Sequence, residues 1–178
     1  KELSYNNYND LFAGLDILQS IKGKAATVVI KHANPCGISL NKKPLNSFKS
    51  AYACDPISAF GGVIACNYKM TKAIANEIAK NFLEVILSKG FDKESLKILK
   101  RKKNLRIVDI SKFKYKEHAL VKSFDGSFLI QNKNSKFVKK KEFKCVTKLK
   151  PSKKELNEIE FAFNICKYVK SNAIVLCN

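Results

Sequence analysis

No hydrophobic run in the sequence approaches the roughly 20 apolar residues a membrane-spanning helix needs. The opening residues Lys1 to Asn7 carry no apolar signal-peptide core, so the expectation is a protein of the cytoplasm without a membrane partner. No two of the six cysteines (Cys36, Cys54, Cys66, Cys145, Cys166, Cys177) stand in Cys-x-x-Cys spacing, which removes the commonest zinc and redox motifs. Scattered, and mostly inside apolar runs such as Val63 to Cys66, they read as small buried hydrophobes in a reducing compartment, with no metal expected. Arginine is nearly absent. Of 34 basic residues only Arg101 and Arg106 are arginine, although the net charge is +19. Nucleic-acid readers lean on the planar arginine fork, so the lysines read as solvated faces with a nonspecific pull on polyanions. A polyanion-binding module stands as an alternative, to be recognised by selective binding that survives high salt.

What is present is a chain of 178 residues, 46% hydrophobic and 10% aromatic, enough for one ordered core. Leu11, Leu15, Leu18 and Ile21 follow helical spacing, with Asn9 or Asp10 as the expected cap. Thr27 to Ile30 is a β-branched run that reads as a buried strand. Pro44 suits a first helical turn, and Asp55-Pro56 must end that helix. Further expectations are a strand at Val63 to Cys66, a helix from Thr71 to about Lys80, a strand from Phe82 to Leu87, a helix opened by Asp92 and a strand from Leu105 to Ile110. The alternation implies an α/β fold, a helix-flanked sheet of largely parallel strands, though a mixed sheet gives the same rhythm. From Ser111 the texture changes: Leu120 to Phe124 and Ser127 to Gln131 flank an Asp-Gly hairpin turn. Phe143 to Thr147 reads as an edge strand or connector. Pro151 opens a last helix leading to a strand at Ala173 to Leu176, the expected start of a second half. The expected division is therefore 1–150, with 111–150 as hairpin and connector, followed by 151–178.

The Thr27 strand ends in Lys31 and His32, and Asn34-Pro35 and Gly37 then read as a turn, followed by a loop from Ile38 to Lys43. Open α/β sheets keep ligands at the C-terminal edge of such strands. By residue type alone, His32 reads equally as a proton carrier or as a structural histidine satisfied by its neighbours. Phe60-Gly61-Gly62 reads as a tight turn into a strand or as a close backbone approach to a ligand or a neighbouring strand. Glu84, the only charge in its strand, needs a partner if its face is buried.

The strings K-H-A-N-P-C-G and D-P-I-S-A-F-G-G-V-I-A, with L-S-Y-N-N before them and V-T-K and K-Y-V-K-S-N-A-I-V after, resemble the bacterial bifunctional enzymes that join AICAR transformylase to IMP cyclohydrolase. The resemblance covers nearly the whole chain and only the front part of the transformylase region. It implies a three-layer αβα mixed sheet similar to cytidine deaminase, and formyl transfer from 10-formyltetrahydrofolate to the 5-amino group of AICAR. It also implies a homodimer and no catalytic metal. Carried over in this numbering, Lys31 and His32 match the catalytic pair and Asn172 the asparagine that holds the reacting groups. Phe60 and Gly61 match positions lining the site, Glu84 a carboxylate on the nucleotide, and Ile57 an apolar position near the folate. The family's R-Y-G-x-N-P-H-Q, G-I-G-A-G-Q and F-P-F-x-D segments fall outside Lys1 to Asn178, so these residues alone are expected to be inactive. A zinc nucleoside deaminase, the rival α/β reading, requires H-x-E and P-C-x-x-C. Here His32 is followed by Ala33-Asn34, and Pro35-Cys36 by Gly37-Ile38-Ser39.

Overall fold

The computed structural model describes residues 2–116 and 119–178; Glu117 and His118, within the expected 111–150 connector, lie outside the described residues, as does Lys1. Two compact units emerge, 1–113 and 114–178. The first holds α1 (Tyr5–Ser20), β1 (Ala25–Lys31), β2 (Asn34–Asn41), α2 (Pro44–Ala53), β3 (Gly62–Cys66), α3 (Lys72–Ala79), β4 (Leu83–Ser88), α4 (Lys93–Lys100) and β5 (Arg106–Asp109). These form a five-stranded mixed sheet in the order β2-β1-β3-β4-β5. β3, β4 and β5 run parallel, and β1 is antiparallel to both of its neighbours.

The sheet is covered on both sides. Gly14 of α1 comes so close to β1 and β3 that a Cβ there would meet Ala65 Cβ at 3.0 Å and Ile30 Cγ1 at 3.5 Å. The opposite face, with Val29, Ile64 and Ile86, packs against Phe48 and Ala51 of α2, Ile74 and Ile78 of α3 and Leu99 of α4. Burial on both faces explains why β1 and β3 are continuous apolar runs instead of alternating patterns. Such a run reports burial and says nothing about strand direction.

Three local expectations change. α1 is capped by Ser4, five or six residues earlier than expected, in a capping box with Asn7. Asp10 is thereby freed from capping and lies buried in the helix. Residues 38–41, expected as loop, belong to β2, which is an edge strand and so tolerates Pro35. The chain reverses at His32-Ala33, both with positive φ (57° and 55°), the signature of a two-residue type I′ hairpin turn. Asn34-Pro35 is already strand.

In the second unit, β6 (Leu120–Phe124) and β7 (Ser127–Gln131) form the expected hairpin, with Asp125 and Gly126 at positive φ. A 3-10 turn, Lys140–Glu142, precedes α5 (Lys153–Cys166), whose cap is Ser152 in a box with Glu155. Asn164 of α5 exchanges hydrogen bonds with the Val138 backbone, Nδ2 donating at 2.7 Å and Oδ1 accepting at 2.9 Å. Phe143 to Thr147 adds no strand, nor does Ala173 to Leu176, where Ile174 and Leu176 are largely exposed. A strand requires a neighbour to satisfy its backbone, and neither segment has one among the described residues.

All six cysteines are free, but only Cys66 is fully buried; Cys54, Cys145 and Cys177 are exposed, against the expectation of mostly buried thiols. Burial pushes the Cys66 thiol up to about 12 and the Cys36 thiol up to about 11, the latter helped by the nearby Asp55 charge. Alkylation at pH 8, mapped by mass spectrometry, is expected to modify Cys54, Cys145 and Cys177 and to spare Cys66 until the protein unfolds. The same shifts set an alkaline limit. Above the ordinary thiol value of 9.0, the unfolded chain releases protons that the folded chain retains. The stability these two thiols contribute is therefore fully present below pH 9 and is lost as pH rises toward 12, a decline a urea-midpoint series would follow.

Candidate functional site

Lys31, His32, Phe60, Gly61 and Glu84 lie at one end of the sheet, where β1 finishes and β3 and β4 begin. Because β1 runs antiparallel to β3, this end is C-terminal only for β1. The rule that ligands lie beyond the carboxyl ends of parallel strands therefore does not describe this location.

Lys31 closes β1 and its Nζ donates to the Gly61 carbonyl at 3.0 Å. The approach to Gly61 is assembled by Asp55, whose carboxylate accepts from the Ser58 N–H at 2.9 Å and from the Ser58 hydroxyl at 2.5 Å. Those bonds hold the Asp55 carboxyl below its ordinary range. Two further turns, Phe60 N–H to Ile57 O at 3.3 Å and Gly62 N–H to Ala59 O at 3.0 Å, deliver the chain to β3. The two glycines have separate tasks. Gly61 takes φ +66° and donates its N–H to the Phe82 carbonyl at 2.9 Å. A Cβ on Gly62 would meet Ile30 O at 2.8 Å, so that residue permits close strand approach.

The Phe60 and Phe82 rings stack with centroids 5.0 Å apart and 41° between planes, both substantially exposed. Lys31 and Phe82 both crowd Gly61: a Cβ there would meet Lys31 Nζ at 3.1 Å and Phe82 Cε1 at 3.2 Å. His32 is exposed in the adjacent turn, outside the core. Asp10 of α1 accepts from the next N–H of that turn, Ala33, at 2.5 Å.

Glu84 sits where the β3–β4 register slips: Gly62 pairs with Leu83, and Val63 with Val85, leaving Glu84 as the extra residue. Such an irregularity re-aims a side chain, and the Glu84 carboxylate accepts from Asn7 Nδ2 of α1 at 2.8 Å. Asn7 thus caps its own helix with Oδ1 while holding Glu84 with Nδ2. Strand alternation puts Lys31 with Thr27 and Val29 on the α2 side, so Lys31 and Glu84 approach the sheet's end from opposite faces.

Lys31, Gly61 and Phe60 are therefore brought together, His32 is joined to them through the chain, and Glu84 lies one strand further along. Ile57 is almost wholly exposed on the Asp55 loop. Asn172 is exposed in the second unit. Sequence reasoning missed the supporting residues Asp10 and Phe82 and assigned no role to Asn7. A carboxylate three residues after Asn7, on the helix face that packs on the sheet, was the available signal for Asp10.

A model of the AICARFT/IMPCHase bienzyme family matches residues 1–178. The chain belongs to that family. Similar relatives are the bifunctional purine biosynthesis proteins PurH of Thermoanaerobacter sp. (strain X514) and of Clostridium kluyveri, each 42% identical over 176 residues. The PurH of Oceanobacillus iheyensis is 39% identical over 177 residues. Each alignment covers 99% of this chain and 34% of the relative, so the chain spans about a third of the length of the family members it matches. Among the described residues no three His, Cys, Asp or Glu side chains converge as a metal site, and no helix is long and apolar enough to cross a membrane.

Proposed function

We propose that this chain is the front part of the AICAR transformylase region of a cytoplasmic, homodimeric purine-biosynthesis enzyme. In this reading, residues 1–150 form the first transformylase subdomain and 151–178 begin the second. The reaction is formyl transfer from 10-formyltetrahydrofolate to the 5-amino group of AICAR. The observation that carries the proposal is the Lys31 ammonium resting on the Gly61 carbonyl, directly before the exposed His32 and beside the Phe60–Phe82 ring pair.

An amine conjugated to an imidazole carboxamide is a weak nucleophile. Its reaction needs a proton acceptor, stabilisation of the tetrahedral oxyanion and a proton for the departing nitrogen. His32 takes the amine proton as nitrogen bonds to the formyl carbon, and returns a proton to N10 as the C–N10 bond breaks. Lys31 has three N–H donors and the Gly61 carbonyl accepts from one of them, so others remain for the developing oxyanion. Phe60 and Phe82 offer flat apolar surface to a planar heterocycle, and the exposed Ile57 extends it. Glu84, oriented by Asn7, accepts from nucleotide hydroxyls. In this reading Asn172 steadies the reacting groups. No step calls for a metal.

The test is a formyl-transfer assay on the full-length protein, following AICAR-dependent conversion of 10-formyltetrahydrofolate to tetrahydrofolate. Turnover is expected there and not from residues 1–178 alone. A folded full-length protein that turns over none of this pair refutes the proposal.

A further inference from the structure

We infer that Asp10 is a positioning residue for the formyl transfer proposed above: its carboxylate holds the His32-Ala33 turn in the shape that presents the imidazole. The inference rests on that functional reading. Asn7 and Asp10 are the buried polar residues of α1, three positions apart and so on one helix face. Each bonds outward to a different part of the sheet's end, Asn7 to Glu84 and Asp10 to the Ala33 N–H.

Ala33 needs that partner. In a two-residue hairpin turn the flanking residues, here Lys31 and Asn34, close the ladder, and the second turn residue has no ladder partner for its N–H. Here the N–H is met by a charged acceptor at 2.5 Å, the short, strong kind of hydrogen bond. The turn also has a conformational problem. His32 and Ala33 both carry left-handed φ without the help of glycine, a region L-residues enter reluctantly. A wider loop would relax both residues and swing the imidazole away. Asp10 is anchored in a helix packed on the sheet and gives the observed turn an advantage that the looser forms lack. The bond Asp10 makes is to the backbone of the turn, so it acts through the placement of His32.

The experiment compares Asp10→Ala and Asp10→Asn in the full-length protein. Asp10→Ala is expected to lower kcat for formyl transfer about tenfold or more, with KM for the AICAR nucleotide within about threefold, because the loss is one of orientation. Asp10→Asn keeps an acceptor of the same size and is expected to stay within about threefold of wild type in kcat. Hydrogen exchange at the Ala33 amide, resolved by fragmentation mass spectrometry, reads the bond independently of activity. It is expected to accelerate at least about tenfold in Asp10→Ala and to stay slow in Asp10→Asn. Unchanged exchange in Asp10→Ala, or fast exchange with unchanged kcat, overturns the inference while leaving the functional reading intact. An Asp10→Asn protein with slow exchange and a kcat loss of tenfold or more also overturns it. If Asp10→Ala does not fold, the Asp10→Asn result decides. A wild-type protein without formyl-transfer activity removes the functional reading itself, and the inference with it.

Discussion

His32→Asn in the full-length protein is expected to cut kcat for formyl transfer by about 10²- to 10⁴-fold, the usual worth of a positioned proton carrier, with little change in AICAR nucleotide binding. Asparagine is the informative replacement because His32 has φ +57°. Asparagine enters that region readily and alanine does not, so Asp10 can still hold the turn while proton transfer is lost. Lys31→Ala should cost about 10²- to 10³-fold, the range for removing one oxyanion donor. Its effect is less cleanly interpreted, because Lys31 also donates to the Gly61 carbonyl. Steady-state kinetics with both substrates varied separates binding from turnover. His32→Asn activity within about threefold of wild type would end the assignment of this imidazole to the proton transfers.

Gly37→Ala should destabilise the protein by about 3 kcal/mol, the upper end for an added methyl in a packed site. That corresponds to a thermal midpoint lower by roughly 10 °C for a unit of this size. Gly37 does not make a turn; it sits in β2, paired with Val29, with ordinary negative φ. A Cβ there would drive into the Ala51 carbonyl oxygen and lie 3.1 Å from both the Ala51 carbonyl carbon and Cys54 Cβ. The obstacle is helix backbone, which no rotamer change relieves, so α2 must lift from the sheet or β2 must shift. Calorimetry or denaturant unfolding checks this. A midpoint within about 2 °C of wild type would show that α2 sits further from β2 than described.

Several elements were legible because local chemistry alone specifies them. Pro44 starts α2, Asp92 caps α4 by accepting the Ser95 N–H at 2.6 Å, and Asp125-Gly126 makes the β6–β7 turn. Each signal acts within a few residues of the chain. α1 was placed but started late, because Ser4 and Asp10 are both capable caps and only the packed position of Asp10 decides between them. β2 looks like loop in the sequence because Lys42-Lys43 and a proline hide a strand that needs only one partner.

The candidate site divides in the same way. Lys31 and His32 stand out as a cation and a possible proton carrier at a strand end, and the resemblance assigns them, with Phe60 and Gly61, to the site. Their supports, Asp10 and Asn7 on α1 and Phe82 before β4, are distant in sequence and carry no signature of their own. The thiols depart from expectation for a related reason: a cysteine beside apolar residues, as in Ile174 to Cys177, is buried only if something covers that segment.

The sequence by itself determined a helix-flanked α/β sheet, the Asp92 cap of α4 and the Asp125-Gly126 turn, since apolar periodicity and turn chemistry are local properties of the chain. Tertiary structure alone decided that β1 runs against β3, that the reversal falls at His32-Ala33, and that α1 steadies both the turn and Glu84. Those outcomes depend on which polar groups find partners at separations of 23 or 77 positions, as with Asp10 to Ala33 and Asn7 to Glu84, and no local pattern encodes a partner at that distance.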